Sequence, residues 1–99
     1  MLYMFFADGF EEVEAIATLD VIRRAGIEIK SVGAGNKTVT GSHNISVICD
    51  ITTDELVYNA EDVDGMILPG GMPGTTNLMN NSFVDSFIDS CNSDKKLIC

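Results

Sequence analysis

The sequence predicts an α/β protein with a mainly parallel β-sheet and helices packed on it. Residues 2–6 are continuously apolar, as expected of a short strand buried on both faces of a parallel sheet. A strongly marked helix follows, and residues 27–32 alternate apolar and polar side chains like a second strand. Residues 65–68 form another short apolar run, which ends abruptly at a proline and two glycines. A strand, a helix and a second strand in succession form a β-α-β unit, the building block of parallel sheets.

The first helix carries signals at both of its ends. Asp8 can cap its N-terminus, with Glu11 three residues later, and acidic side chains crowd the first turn. Arg23 and Arg24 occupy the last turn, and Gly26 lies just beyond it. Apolar side chains recur at three- and four-residue intervals, so they are expected to face the sheet. These side chains are Val13, Ala15, Ile16, Ala17, Leu19 and Ile22.

The middle of the chain predicts a β-hairpin and a short helical segment. Residues 37–40 and 45–51 are rich in strand-forming side chains, and a Gly-Ser-His-Asn turn at residues 41–44 separates them. Thr53 can cap a short helical segment, because acidic residues follow it directly. We expect this segment to lead, through polar residues, to the apolar strand at residues 65–68.

A second clear helix and a final strand end the sequence. Ser82 can cap the helix, which presents an apolar face of two phenylalanines, a valine and an isoleucine. Residues 97–99 begin another buried strand. Because a crossover helix normally follows such a strand and covers it, we expect further polypeptide of the same domain C-terminal to Cys99.

The composition is that of one small globular domain. The 99 residues are 45% hydrophobic and 21% charged, which fits neither a disordered chain nor a membrane chain. No apolar run is long enough to span a bilayer, and no secretion signal is present, so we expect no membrane partner. A formal net charge of −9 would repel phosphate backbones, so nucleic acid is not an expected partner either.

The three cysteines and the single histidine form no metal or disulfide pattern. Cys49, Cys91 and Cys99 are odd in number and lack C-x-x-C spacing, which argues against a zinc site or a disulfide framework and favours a reducing cytoplasm. All three lie inside an element or at its far end, where cysteines are usually small buried hydrophobic residues. His43 lies in the hairpin turn and is expected on the surface.

Two features of the sequence could carry chemistry. Only glycine lets a chain turn sharply after a strand and bring bare N–H groups close to a ligand, and Gly70 and Gly71 stand at such a position. A purely structural turn explains the pair equally well. Glu14 has uncharged helical neighbours three, four and seven positions on, so its carboxyl would be desolvated and its pKa raised. An acidic side chain near a helix N-terminus is also explained by the helix dipole alone.

Three segments of the sequence resemble the DJ-1/ThiJ/PfpI family. They are ADGFEEVE at residues 7–14, DVIRRAG at residues 20–26 and LPGGMPG at residues 68–74. The similarity runs over essentially the whole chain and is closest to the DJ-1 and YajL branch. It implies a flavodoxin-like α/β sandwich with helices on both faces, of which residues 1–99 are the N-terminal part and which is incomplete at the C-terminus. It also implies a homodimer without a metal or another cofactor.

The resemblance further implies a cysteine-based site. In the family, a cysteine in a strained strand-to-helix elbow lies beside a glutamate from the first helix, and Glu14 occupies the glutamate's position. The backbone of Gly70, Gly71 and Met72 would face the cysteine and supply N–H groups to an oxyanion. The reactive cysteine itself would follow a few residues beyond Cys99. Glu11 and Val13 correspond to positions that lie near the dimer contact in relatives, so the resemblance makes them candidates for a dimer interface.

The activity that the resemblance implies is attack of the thiolate on a small 2-oxoaldehyde such as methylglyoxal, of the glyoxalase or deglycase type, with Glu14 relaying protons. An alternative is a redox-sensing chaperone or interaction protein without turnover, in which the cysteine is oxidised during oxidative stress. An isocyanide hydratase is less favoured because its first-helix acid is typically aspartate. A role in thiamine biosynthesis is weaker still, since no phosphate-binding motif is visible. We expect the 99-residue chain alone to be inactive.

Overall fold

A five-stranded parallel sheet forms the centre of the fold. The computed structural model describes residues 1–99. The strands are β1 (Leu2–Phe6), β2 (Ile29–Gly33), β3 (Thr38–Thr40), β4 (Ser46–Ile48), β5 (Ile51–Thr52), β6 (Gly65–Ile67) and β7 (Leu97–Ile98). The helices are α1 (Glu12–Arg24), α2 (Gly74–Met79) and α3 (Ser82–Ser93), with a single 3-10 turn at Ala60–Asp62. The main sheet has the order β5-β2-β1-β6-β7 and every pairing in it is parallel, which confirms the predicted fold class.

The central strand β1 divides the core into two layers. Successive side chains of a strand point to opposite faces of its sheet. Tyr3 and Phe5 pack edge-to-face against Phe87 of α3 on one face. Met4 and Phe6 belong to the other layer, with the fully buried Ala15 of α1. Helices therefore cover both faces of the sheet, as the sequence predicts.

The first helix begins later, and with a different cap, than predicted. Glu11, not Asp8, is the capping residue, and its side chain accepts the backbone N–H of Glu14 at 2.7 Å. The Asp8 carboxylate accepts the backbone N–H of Thr40 at 3.0 Å instead. Asp8 therefore joins the turn before α1 to the hairpin, a long-range contact that local capping rules do not contain.

The buried face of α1 is narrower than the predicted stripe. Ala15 is fully buried, and Leu19 and Ile22 pack against the same layer of the core. The other three members of the predicted stripe are exposed: Val13, Ile16 and Ala17. Consecutive residues of a helix are about 100° apart, so these three lie on the neighbouring face. That face is largely open to solvent.

The hairpin is shorter than predicted, because the second predicted strand is divided between two sheets. Strands β3 and β4 form the antiparallel hairpin, while Ile51–Thr52 leaves it and pairs in parallel with β2. The predicted helical segment after Thr53 is absent. Thr53 is buried and its hydroxyl accepts the backbone N–H of Gly35 at 3.1 Å, so its side chain joins two loops and caps no helix.

The last third of the chain differs from expectation in three places. Helix α2, which begins at Gly74 after the glycine loop, was not predicted from the sequence. Helix α3 is capped by Asn81, not Ser82, through the backbone N–H of Val84 at 3.0 Å. The predicted buried strand at the end is β7, which is the edge strand of the sheet, with Leu97 53% exposed and Ile98 40% exposed. None of the three helices has the length and apolar character needed to cross a membrane.

Candidate functional site

The candidate site is built where the glycine-rich loop after β6 docks on the turn between β1 and α1. Gly71 has a φ of 103°, and a Cβ there would lie 2.5 Å from the backbone nitrogen of Glu11. The backbone N–H of Gly74 donates to the carbonyl of Gly9 at 3.2 Å, and a Cβ at Gly9 would lie 2.5 Å from Cδ of Pro73. Glycine is required here because two stretches of backbone are in direct contact.

A side chain reinforces this docking from the helix that follows the loop. The Asn77 amide of α2 donates to the carbonyl of Asp8 at 2.8 Å. Since the Asp8 carboxylate also holds Thr40, the turn before α1 is fixed on two sides. Hydrogen bonds to the hairpin and to α2 therefore fix the backbone of the turn against which the glycine loop packs.

Glu14 reaches the glycine loop directly. Its Oε1 accepts the backbone N–H of Gly70 at 3.2 Å, and a Cβ at Gly70 would lie only 2.9 Å from the same oxygen. The structure thus brings together two residues that are 56 positions apart in the sequence. The predicted desolvation of Glu14 is wrong, because the residue is exposed. Its helical neighbours are uncharged but they face solvent and do not cover the carboxylate.

The three predicted backbone donors are not equivalent. The Gly70 N–H is occupied by Glu14, whereas the N–H groups of Gly71 and Met72 have no acceptor within the chain. The Met72 side chain is 67% exposed. Two adjacent free N–H groups, next in sequence to the Gly70 N–H that Glu14 binds, can hold a negatively charged oxygen of a ligand or an intermediate.

A small apolar cavity adjoins the loop. It has a volume of about 170 Å³ and is lined by loop residues including Pro69 and Gly70, and by side chains of α2 and α3 such as Leu78 and Val84. Its size suits a molecule of a few heavy atoms. The cavity places apolar surface next to the polar groups of the loop.

No cysteine thiol forms a hydrogen bond with this loop, although the backbone carbonyl of Cys99 accepts the N–H of Leu68 at 2.6 Å. Burial and the neighbouring Asp50 raise the pKa of Cys49 to about 11, although Ser31 opposes this shift. Burial is also the main reason why the pKa of Cys91 is raised. These two cysteines are buried, as predicted, and their thiols are protonated at neutral pH. Cys99 is exposed, contrary to prediction, because it follows the edge strand.

Sequence reasoning missed a buried carboxylate two positions before Glu14. Glu12 is 4% exposed, and its Oε2 accepts the backbone N–H groups of His43 at 2.7 Å and Ile45 at 3.3 Å. Burial acts to raise the pKa of Glu12, but its own N–H group, those of His43 and Ile45, and the His43 ring together lower it below the usual value. The detectable signal was spacing, since Glu12 precedes the buried Ala15 by three positions and so lies on the same face of α1.

The same region contains the one group of side chains with metal-ligand geometry. Glu11, Glu12 and His43 place potential ligand atoms within 4.8 Å of one another. The Glu12 oxygens are already engaged by the hairpin turn, and the His43 side chain is 76% exposed, as predicted for a surface residue. These contacts explain the group as a structural one: the Glu12 carboxylate joins α1 to the backbone of His43 and Ile45, a contact called the clasp below.

An open apolar groove runs along the exposed face of α1. It has a volume of about 570 Å³ and is lined by Val13, Ile16 and, from the hairpin turn, Ile45. Val13 is 71% exposed and Ile45 51% exposed. Exposed apolar side chains grouped in this way are typical of an interaction surface. Glu11, by contrast, is half-buried and belongs to the contact with the glycine loop.

Comparison with known proteins identifies the family. The family model of the DJ-1/PfpI family matches residues 1–99. The chain belongs to the DJ-1/PfpI family. It is 33% identical over 93 residues to protein dj-1beta of Drosophila melanogaster, a match that covers 93% of this chain and 49% of the relative. It is 37% identical over 65 residues to a deglycase of Pyrococcus horikoshii, covering 66% of this chain and 38% of the relative.

A solved structure of the DJ-1 superfamily has the same fold. A cysteine-to-alanine mutant of a Salmonella typhimurium protein superposes with a TM-score of 0.89 at 35% identity, covering 99% of this chain and 52% of the other. The chain thus spans about half the length of the fly protein and of the Salmonella protein. The family and the fold are established by these matches.

Proposed function

We propose that this chain supplies the acid and the anion-binding backbone of a cysteine-dependent enzyme that acts on small 2-oxoaldehydes. The observation that carries the proposal is the arrangement of Glu14 against Gly70, with the free N–H groups of Gly71 and Met72 beside it. Membership of the DJ-1/PfpI family, in which two relatives are named deglycases, supports the same class of reaction.

The nucleophile of the proposal is a cysteine in polypeptide that follows Cys99. Its thiolate attacks the aldehyde carbon, an S–C bond forms, and the carbonyl electron pair moves onto oxygen. The N–H groups of Gly71 and Met72 stabilise that oxygen. The Glu14 carboxylate then accepts the proton on the former aldehyde carbon, the C–H electron pair forms a carbon–carbon double bond, and the keto electron pair moves onto its oxygen. Glu14 returns the proton to the former keto carbon while the C=O bond re-forms beside sulfur, and the former keto oxygen takes a proton from solvent, which yields a 2-hydroxy thioester. Water releases the 2-hydroxy acid and the thiol, so the reaction needs no external oxidant or reductant.

The positions of the three cysteines support a nucleophile outside residues 1–99. Cys49 and Cys91 are buried with raised pKa values. Cys99 is exposed, and it contacts the loop through its backbone carbonyl, which accepts the N–H of Leu68, and not through its thiol. We therefore propose that polypeptide of the same domain, C-terminal to Cys99, is the chain's partner. The exposed edge strand β7 and the apolar cavity beside Pro69 are the surfaces it would cover.

The test of the proposed reaction is lactate formation from methylglyoxal by the polypeptide that includes the segment after Cys99. Wild type is compared with a variant in which the proposed nucleophilic cysteine is serine. We expect lactate from wild type only. Equal, background-level lactate from both proteins would rule out the glyoxalase proposal and favour a second candidate function.

That second candidate is a redox sensor without turnover, acting as a chaperone or interaction protein in oxidative stress. It is favoured by the same geometry, because two free N–H groups beside a carboxylate would also hold the oxygens of an oxidised cysteine. Mass spectrometry after limited peroxide treatment distinguishes the two. The sensor predicts a gain of two oxygen atoms on that cysteine without any lactate formation.

We further propose that two copies associate through the groove on α1. Val13, Ile16 and Ile45 form one exposed apolar surface that a second copy would cover. Sedimentation velocity tests this: Val13→Asp is expected to convert a dimer to a monomer. The control is Val57→Asp, at a site that is 92% exposed and outside the groove. A wild-type monomer, or equal effects of the two variants, would contradict this proposal.

A reducing cytoplasm is the proposed location, supported by the three free cysteines.

A further inference from the structure

Three hydrogen bonds join Glu11, Glu14 and Gly70 in a closed circuit. The backbone N–H of Glu11 donates to the carbonyl of Gly70 at 2.9 Å. The backbone N–H of Gly70 donates to Oε1 of Glu14 at 3.2 Å. The backbone N–H of Glu14 donates to Oε2 of Glu11 at 2.7 Å, which closes the circuit.

The circuit matters because nothing else holds the Glu14 side chain. The residue is exposed, and its only hydrogen bond through the carboxylate is the one from Gly70. An exposed glutamate has several accessible rotamers, whereas a group that transfers protons must be held close to one geometry. The position of its carboxylate therefore depends on how the first turn of α1 is placed against the glycine loop.

Glu11 fixes the first turn of α1 against the glycine loop through both its backbone and its side chain. Its backbone binds the loop, and its side chain fixes the backbone of Glu14 at the third position of the helix. The approach is close enough that only glycine fits opposite, since a Cβ at Gly71 would lie 2.5 Å from the Glu11 nitrogen. A helix cap placed against solvent would not have this constraint.

We infer that Glu11 is a positioning residue for Glu14, acting through the circuit with Gly70, and not only the cap of α1. The inference rests on the proposed function, because it assigns Glu11 a role in preparing the proton-transferring carboxylate. Its test is nevertheless independent of turnover, so it can fail while the proposed reaction stands, and the reverse is also possible.

The experiment measures amide hydrogen exchange and the amide proton chemical shift of Gly70 by NMR in the 99-residue chain. Glu11→Ala removes the side-chain acceptor, while Glu11→Gln keeps an acceptor oxygen of the same reach. Asp20→Ala is the matched control on the same helix, because it removes an exposed ion pair with Arg24 that does not touch the loop. The amide of Ile22 reports on the far end of α1.

We expect Glu11→Ala to increase the exchange rate of the Gly70 amide at least tenfold and to shift its proton resonance, with the Ile22 amide unchanged. Glu11→Gln should restore both values to those of wild type, and Asp20→Ala should leave Gly70 unaffected. Unchanged Gly70 exchange in Glu11→Ala would overturn the inference. So would equal acceleration at Gly70 and Ile22, which indicates general helix destabilisation, or an unprotected Gly70 amide in wild type.

Discussion

The carboxylate of Glu12 is buried at the start of α1 and accepts the backbone N–H of His43 at 2.7 Å across 31 positions of sequence. A second N–H, from Ile45, shares the same oxygen at 3.3 Å. This clasp fastens the hairpin turn to the helix that carries Glu14. The helix therefore contacts the hairpin through Glu12 and the glycine loop through Glu11 and Glu14.

Removing the clasp should loosen the hairpin turn. Glu12→Ala leaves the N–H groups of His43 and Ile45 without their acceptor, so we expect a lower Tm and faster exchange of these two amides. Glu28→Gln changes an exposed glutamate for which no side-chain hydrogen bond is present, and serves as the control. Wild-type exchange rates at both amides in Glu12→Ala would contradict the clasp.

The clasp should also make stability depend on acid pH. The pKa of Glu12 is lowered in the folded protein, so its contribution is fully present above the unfolded pKa of about 4.3 and is lost as the pH falls through the folded value. We expect the Tm difference between wild type and Glu12→Gln to be largest above about pH 5 and to shrink below about pH 4. Thermal unfolding at a series of pH values measures it. A constant difference over this range would refute the assignment.

The two adjacent glycines should respond differently to alanine. Gly71 has a positive φ and no room for a Cβ, so Gly71→Ala is expected to destabilise the fold by about 1–3 kcal/mol or more. At Gly70 the nearest atom is the flexible carboxylate of Glu14, so Gly70→Ala should displace Glu14 with a smaller loss of stability. Urea unfolding compares the two variants, and equal losses would contradict this account.

The aromatic cluster on the α3 face should dominate the stability of the core. Phe87 is 1% exposed and its ring lies 5.7 Å from that of Tyr3 and 4.7 Å from that of Tyr58. Phe87→Ala is expected to cost about 3–5 kcal/mol, against about 0.5 kcal/mol or less for the exposed control Val57→Ala. Chemical denaturation gives both values, and a loss below 1 kcal/mol for Phe87→Ala, in the range of a surface change, would mean that the cluster is not packed as described.

The cysteines should differ sharply in reactivity. Cys49 and Cys91 are buried with raised pKa values, whereas Cys99 is exposed. Brief treatment of the native chain with iodoacetamide at pH 7.5 should therefore modify Cys99 alone, and peptide mass spectrometry identifies the site. Modification of Cys49 at a similar rate would show that the hairpin layer opens readily.

Local patterns in the sequence were enough to predict most of the fold. The strands near Leu2 and Met66, and the helices near Ala15 and Phe87, follow from apolar runs and from periodicity, because their burial depends on the same pattern. The caps were less predictable. Asp8 satisfies the local rule for a cap, yet its partner lies on the hairpin, and that contact exists only in the folded chain.

The candidate site was predictable only in part. Glu14 and the glycine pair were singled out from the sequence, and the structure joins Glu14 to Gly70. The prediction that Glu14 is desolvated was wrong, because uncharged neighbours on a helix bury a carboxylate only where another part of the protein packs over them. Glu12 is buried, and the Gly70 N–H is bonded while those of Gly71 and Met72 are free, because of contacts between segments that are distant in the sequence. Spacing along one helix does not predict such contacts.

The central claim is that Glu14 is the proton-transferring group of a site framed by the glycine loop. The most direct test is the rate of lactate formation from methylglyoxal by the polypeptide that extends beyond Cys99, with Glu14→Gln compared against the control Glu28→Gln. We predict a loss of at least about 100-fold for Glu14→Gln and wild-type turnover for the control. Wild-type turnover in Glu14→Gln would contradict the claim.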